Sequence, residues 1–290
     1  MTRKTNIKKT ITIHLARTAG FCFGVKRAIR MAHELAMSGG IIHMLGDLVH
    51  NQDVITRLEK AGIKKISRLG NGHGKTLLVR AHGADKRLIA KARKHGYKIV
   101  DATCPMVRAI HKIVMRMDGK GYRIIVLGDR RHEEVQGIVG QIAKKTPIID
   151  RIENIPWPQI KKIRKAAIVV QSTQSTDHIL PIVAALKGKI KELKFFNTIC
   201  RPTRMKQAEM KTMPLNHDVV IVIGSRFSAN TRRLYEISRA LNRHSYRIES
   251  AAEIRPSWFQ NAGTVGVTAG ASTPQSATRS VIKRIREMIR

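Results

Sequence analysis

Apolar residues in this chain come in short runs that recur from one end to the other. The clearest are ITIHL (11–15), IIHML (41–45), TLLVR (76–80), YKIVD (97–101), RIIVLG (123–128), AAIVVQ (166–171), DVVIVIG (218–224) and TVGVTAG (264–270). Runs this short and this continuously apolar read as strands buried on both faces, the signature of a parallel sheet. Between them the apolar positions change to a helical period. The predicted helices are 24–37, 51–60, 85–95, 105–119, 133–142, 230–243 and a C-terminal stretch ending at 290. Pro105 suits a first helical turn, where its missing N–H costs nothing. Strands alternating with amphipathic helices indicate βαβ units and an α/β fold.

Nothing resembling a low-complexity linker divides the chain. A loose internal repeat is visible instead, with one cysteine in each third: Cys22 in AGFCFGV, Cys104 in DATCPMV and Cys200 in NTICRPT. Each cysteine follows a strand-like run and precedes a helix-like one, so each thiol is expected on a strand-to-helix turn, the end of an α/β sheet where ligands bind. The expected architecture is three similar α/β units around a common centre. Their boundaries are 24–104, 105–196 and 197–290, the last completed by an N-terminal strand at 11–23.

Composition narrows the function classes. No apolar stretch approaches the roughly 18 residues of a membrane span, and the basic start MTRKTNIKKT lacks the apolar core of a signal peptide. Three cysteines, an odd and low count, point to free thiols in a reducing cytoplasm. The charge is extreme, with 55 Lys and Arg against 20 Asp and Glu, a formal net charge of +35. Such a surface attracts polyanions. The cations are dispersed rather than gathered in one stripe, and aromatics make up 4% of the chain. Non-specific adhesion to polyanions is therefore expected in preference to sequence-specific nucleic-acid recognition.

A lone cysteine is most often a small buried hydrophobe. Three in one repeated context, flanked by Gly20, Gly24, Thr103 and Thr198, suggest a shared thiolate site. Structural zinc favours four ligands with paired C-x₂₋₄-C spacing, which this chain lacks. Distant thiolates suit an iron–sulfur cluster better, and three leave one metal position open for a substrate. Zinc and iron–sulfur both remain open on the residues alone. His50 in DLVHN, His82 in RAHGA and His132 in RRHEEVQG each follow an apolar run at an expected helix start. Together they suggest an anion site. GSRFSAN adds Ser228 and Asn230, and TAGASTP adds Ser272. These read as N-caps and also as neutral donors to phosphate. No P-loop or G-x-G-x-x-G fingerprint is present, which disfavours nucleotide binding. Glu133 and Glu134, beside His132, are candidate proton donors or helix N-terminal acids.

GFCFGVKRAI, LVHN, AHG, DATCP, HEEVQGIVGQ, TIC with Gln207 downstream, GSRFSAN and VGVTAGAS follow one another in this order. In that order they resemble the 4-hydroxy-3-methylbut-2-enyl diphosphate reductase family, from about residue 11 to the C-terminus. The resemblance implies a trefoil-like arrangement of the three α/β units around a central cluster cavity. It also implies one 4Fe-4S cluster held by Cys22, Cys104 and Cys200, with an open fourth iron for the substrate hydroxyl. It assigns the diphosphate to His50, His82, Ser228, Asn230 and Ser272, substrate binding and proton delivery to His132, and the acid of that relay to Glu134 rather than Glu133. Ser172 or Thr173 would stand beside the substrate alcohol. The implied reaction is reductive dehydroxylation of the allylic diphosphate to isopentenyl and dimethylallyl diphosphate, the last step of the non-mevalonate isoprenoid pathway. In the absence of a flavin or nicotinamide motif, electrons would come from a ferredoxin- or flavodoxin-type donor. Two departures stand out: Ala229 replaces a second serine, and the residues after Cys200 carry extra positive charge. The rival readings are a nucleic-acid-associated protein that keeps the fold, and a zinc hydrolase that uses the three thiolates.

Overall fold

The computed structural model describes residues 11–288. The basic N-terminal decapeptide and the end of the last expected helix lie outside the described residues. Among the described residues twelve strands form three four-stranded sheets, every pair parallel. The first holds β1 (Thr12–Leu15), β10 (Val219–Ile223), β11 (Ser245–Ile248) and β12 (Thr264–Ala269) in the order β1-β12-β10-β11. The second holds β2 (Ile41–Leu45), β3 (Ile63–Ile66), β4 (Lys75–Val79) and β5 (Lys98–Asp101), ordered β3-β2-β4-β5. The third holds β6 (Arg123–Leu127), β7 (Ile148–Ile149), β8 (Lys165–Val170) and β9 (Glu192–Phe196), ordered β7-β6-β8-β9.

The helices are α1 (Phe23–Met37), α2 (Gln52–Lys60), α3 (Lys86–Lys94), α4 (Pro105–Gly119), α5 (Glu133–Val139), α6 (Trp157–Ile160), α7 (Thr176–Lys187), α8 (Arg201–Met210), α9 (Ala229–Leu241) and α10 (Gln275–Met288). The chain divides into two compact units. One is Cys22–Thr203, with the second and third sheets; the other joins the stretch up to Phe21 to the stretch from Arg204 onward, with the first sheet.

The eight predicted strand runs all carry strands. Four more, β3, β7, β9 and β11, were not predicted. They lie at sheet edges and include the polar sequences IKKI, ELKFF and SYRI, because an edge strand with one face in water need not be continuously apolar. Helix 133–142 ends three residues early, at Val139, where Gly140 caps it. His82 does not open a helix: it sits in a turn, and α3 begins at Lys86 behind an Asp85 cap.

Alternation along the strands builds a core on each face of a sheet. In the third sheet Ile125, Leu127, Ile168 and Val170 pack with Ile179, Ile182 and Leu186 of α7. Their neighbours Ile124, Val126, Ala167 and Val169 pack on the other face with Ile110, Val114 and Met117 of α4 and with Val135 and Ile138 of α5. In the first sheet Val219, Ile221 and Ile223 join Val281 and Ile285 of α10 on one side, and Val220 and Val222 join Leu234 of α9 on the other. Full burial on both faces explains why these runs are uninterrupted in the sequence.

Candidate active site

The three sheets place chemistry-bearing residues in the same pattern. In each, one edge strand leads to a cysteine that immediately precedes a helix: β1 to Cys22 and α1, β5 to Cys104 and α4, β9 to Cys200 and α8. The two inner strands lead to the other candidates. These are His50 after β2, His82 after β4, His132 after β6, Ser172 after β8, Ser228 and Asn230 after β10, and Ser272 after β12. Parallel strands put all of these ends on one side of their own sheet.

Backbone hydrogen bonds continue past the strand ends of the Cys22–Thr203 unit and set the spacing there. The Cys104 N–H donates to Ala81 O at 2.9 Å, which brings that cysteine beside the His82 turn. The Cys200 N–H donates to Ser172 O at 3.0 Å, which does the same for the β8 end. All three thiols are free and half-buried. A Cβ on Gly24 would lie 2.5 Å from Cys104 Sγ and 4.0 Å from Cys22 Sγ. The missing side chain therefore leaves a cradle that both sulfurs border. Cys200 Sγ lies 3.1 Å from Thr203 Oγ1. Burial raises the thiol pKa values of Cys104 and Cys200, and the charges of Cys22 and Glu134 add to the rise. Those influences place the three sulfurs and one carboxylate within electrostatic reach of one another. A metal cluster would draw off the thiol protons, since thiolate is the ligating form.

Glu134 is 2% exposed. One of its oxygens accepts from Ser172 N at 2.6 Å and the other lies 2.7 Å from Ser172 Oγ. Burial lifts its pKa to about 7 against the opposing pull of these hydrogen bonds, so near neutral pH the group can give or take a proton. Thr173 points elsewhere, its hydroxyl accepting from Gln171 Nε2 at 3.0 Å. Of the two adjacent hydroxyl candidates, Ser172 is the one that reaches the carboxyl group.

His50, His82 and His132 converge. The first two rings stack with centroids 4.3 Å apart, and His132 meets them edge-on at 5.4 and 5.5 Å. Burial pushes the pKa values of His50 and His82 down. For His82 the neighbouring His50, His132 and Arg80 charges push the same way, while for His50 Glu133 and Asp47 oppose the shift. Donor atoms of the three imidazoles lie within 4.8 Å of one another, a spacing a metal ion could use. The tautomer of His132 argues otherwise. Its Nδ1 accepts the Glu134 N–H at 3.1 Å as the cap of α5, so in the neutral ring the proton sits on Nε2, which is then a donor. That form suits an anion.

Two residues near this cluster were not identified as a pair from sequence. Arg80 hydrogen-bonds Glu133 Oε1, leaving Oε2 turned to His82 at 3.4 Å and His50 at 3.8 Å. The separation of 53 positions hides the pair, although RAHGA and HEEV both lie in recognised motifs. Arg80 offsets the carboxylate that would otherwise repel an anion.

The remaining candidates lie in the other unit. Ser228 caps α9 by accepting from Thr231 N at 3.3 Å. Asn230 is 4% exposed, and both polar atoms of its amide are buried without a hydrogen-bond partner. A native amide left so is unusual and marks a place for a polar ligand. Ser272 is buried in the turn after β12. The β10 and β12 turns approach each other around Thr231 and Thr273, and a Cβ on Gly270 would lie 2.1 Å from Thr231 Oγ1. Sequence reading also passed over Lys206 and Glu209. Buried Lys206 donates to the carbonyls of Thr18, Gly20 and Ala269. Glu209 accepts from the N–H groups of Arg17 and Thr18 at 2.7 and 3.1 Å.

Comparison with known proteins agrees with this geometry. Residues 13–286 match the family model described as LytB protein. The chain belongs to the LytB family. The 4-hydroxy-3-methylbut-2-enyl diphosphate reductase of Geobacter metallireducens is 41% identical to this LytB protein over 276 residues, 95% of this chain and 97% of the relative. The enzyme of that name from Aquifex aeolicus is 38% identical over 282 residues, 96% of this chain and 97% of the relative. A solved structure of (E)-4-hydroxy-3-methyl-but-2-enyl diphosphate reductase, the terminal enzyme of the non-mevalonate pathway, is 38% identical and superposes with a TM-score of 0.71, covering 96% of this chain and all of the other. The E-1-hydroxy-2-methyl-but-2-enyl-4-diphosphate reductase of Plasmodium falciparum is 28% identical with a TM-score of 0.87, over 94% of this chain and 87% of that one. The LytB fold is thus α/β with three four-stranded parallel sheets, and iron–sulfur oxidoreductase is the chemistry of the family. No helix among the described residues is long and apolar enough to cross a membrane.

Proposed function

We infer that this protein reduces (E)-4-hydroxy-3-methylbut-2-enyl diphosphate to isopentenyl and dimethylallyl diphosphate, the terminal step of the non-mevalonate pathway. The observation that carries the reading is Glu134: a buried carboxyl with a pKa near 7, locked to Ser172 and within electrostatic reach of the thiols. The balance is one alcohol, two electrons and two protons to one hydrocarbon terminus and one water. Cys22, Cys104 and Cys200 would hold a 4Fe-4S cluster, since their sulfurs are free and two of them border the Gly24 cradle. When bound, the cluster supplies electrons and a Lewis-acidic iron for the alcohol oxygen.

The residues of the chain do the rest. Glu134 in its acid form gives the proton with which oxygen leaves as water, and Ser172 holds that carboxyl in place and relays the hydrogen bond to the alcohol. His50, His82 and His132 donate to the diphosphate, a role supported for His132 by the Nδ1 contact that leaves the proton of its neutral ring on Nε2. Ser228, Asn230 and Ser272 supply neutral donors to phosphate oxygens, a role supported by the orphaned Asn230 amide. Fixing the diphosphate orients the allylic end, and that binding energy is remote from the bond that breaks. Electrons arrive from a ferredoxin- or flavodoxin-type carrier, whose acidic surface would be drawn to a chain of net charge +35.

Iron and acid-labile sulfide analysis on anaerobically purified protein tests the cofactor. About four of each per chain is expected for a 4Fe-4S cluster, with Cys104→Ser losing most of the iron. A colourless protein whose three thiols bind one zinc, even after anaerobic reconstitution with iron and sulfide, would favour the hydrolase reading instead.

A further inference from the structure

A basic cleft of about 510 Å³ opens at the N-terminal ends of β6 and β8. It lies at the opposite end of the third sheet from Glu134 and Ser172. Five-residue β6 puts the two ends about 16 Å apart at roughly 3.3 Å per residue. Tyr122, Arg123, Lys144, Lys162, Arg164 and Lys165 line the cleft, and no carboxylate lines it. Lys165 pairs with Glu192 at 3.6 Å and Lys144 with Asp118 at 3.2 Å. No ion pair among the described residues engages Arg123, Lys162 or Arg164. Lys165 and Lys194 lie over the Tyr122 ring at 4.2 and 4.9 Å.

We propose that this cleft docks the phosphate backbone of single-stranded RNA, independently of base sequence, at a site separate from the reductase centre. Two unpaired guanidinium groups in a concavity suit phosphate oxygens, which they can bind bidentately. Half of the lining residues are cations and none is an acid, so the cleft is matched to anionic oxygens. Base stacking is excluded for Tyr122, which is 3% exposed beneath its two lysines. The net charge of +35 steers any polyanion toward the molecule, and the cleft gives that attraction an address.

The test uses cluster-loaded protein under anaerobic conditions and a fluorescein-labelled 20-nucleotide RNA, with affinity followed by anisotropy from 50 to 300 mM salt. The variant Arg123→Gln/Lys162→Gln/Arg164→Gln is compared with Lys91→Gln/Arg93→Gln/Lys94→Gln, which removes equal charge from exposed positions of α3. Matched iron content and Tm establish that both variants fold. The cleft variant is expected to bind at least tenfold more weakly at 100 mM salt. Its log–log salt slope should fall by about 2, at about 0.7 per lost single-strand phosphate contact. The α3 variant should change affinity less than twofold. Equal losses in the two variants would show diffuse attraction and overturn the proposal. So would tripolyphosphate or 20-residue polyglutamate binding to the cleft as tightly as RNA, which would make it a small-anion pocket or an acidic-protein surface.

Discussion

At the scale of single residues, Glu134 makes the sharpest statement about pH. Its carboxyl is lifted to about 7 by burial, so the folded protein holds a proton there that the unfolded chain releases near 4.5. Between those values the native state binds more protons, and stability falls as pH rises through the interval. For the cluster-free protein the loss is on the order of 3 kcal/mol, and Glu134→Gln should flatten that part of a urea-denaturation pH series. The proposed catalysis uses the same proton. With the acid form as donor, kcat falls as pH rises through about 7, and Glu134→Gln should retain iron and substrate binding while losing turnover by at least a hundredfold. Near-normal turnover would remove Glu134 from the proton path. The histidines shift the other way. His50 and His82 are held neutral by burial, and a bound diphosphate favours their charged forms. Substrate binding should therefore take up protons and tighten as pH falls, which calorimetry in buffers of different ionisation enthalpy would detect.

Much of the candidate site was legible at this scale because its residues sit in contiguous motifs, as DATCP and HEEVQG do. Pairings were not. Arg80 with Glu133, and Glu134 with Ser172, join residues 53 and 38 positions apart, and a single sequence carries no sign of which distant charge meets which. The choice between Ser172 and Thr173 was hidden for the same reason. Both lie in the turn after β8, and only the fold says which of them faces Glu134.

At the scale of elements, the sequence showed the six inner strands and two of the six edge strands, β1 and β5. A strand buried on both faces must be apolar throughout, as VVIVI in β10 is; β3 carries two adjacent exposed lysines between a buried and a half-buried isoleucine and looks like a loop. The cysteine helices show a subtler constraint. Gly24 stands in the first turn of α1 because a side chain there would collide with Cys104 Sγ. Gly24→Ala should leave the cluster-free fold within about 1 kcal/mol, as alanine favours helix, yet reduce the iron bound after reconstitution by more than half. Unchanged iron content would show that the cradle is not needed. The middle of α8 is tied differently. Lys206 satisfies three carbonyls at once, so Lys206→Met strands them and should cost about 3 kcal/mol in denaturation experiments, with Lys206→Arg recovering part of it.

For the molecule as a whole, one rule organises the chemistry. Each four-stranded sheet ends one edge strand in a cysteine and its two inner strands in hydrogen-bonding residues, and the N-terminal β1 completes the sheet whose other strands come last in the chain. The spacing of the cysteines showed the repeat, and the N-terminal strand expected to complete the last unit pairs, as β1, with β12. Charge is the second whole-molecule property. At +35 self-repulsion opposes the compact state, so Tm should rise as salt increases from 20 to 300 mM and screens it. A Tm that falls over that range would mean that the ion pairs outweigh the repulsion.

We propose that these thiols, this carboxyl group and these histidines together remove a hydroxyl group from an allylic diphosphate. Incubation of iron-replete protein with (E)-4-hydroxy-3-methylbut-2-enyl diphosphate and a chemical reductant under anaerobic conditions, with the products resolved chromatographically, tests it most directly. Isopentenyl and dimethylallyl diphosphate are the expected products, formed by the wild type and lost in Cys104→Ser. Recovery of unreacted substrate from protein carrying a full complement of iron and sulfide would contradict it.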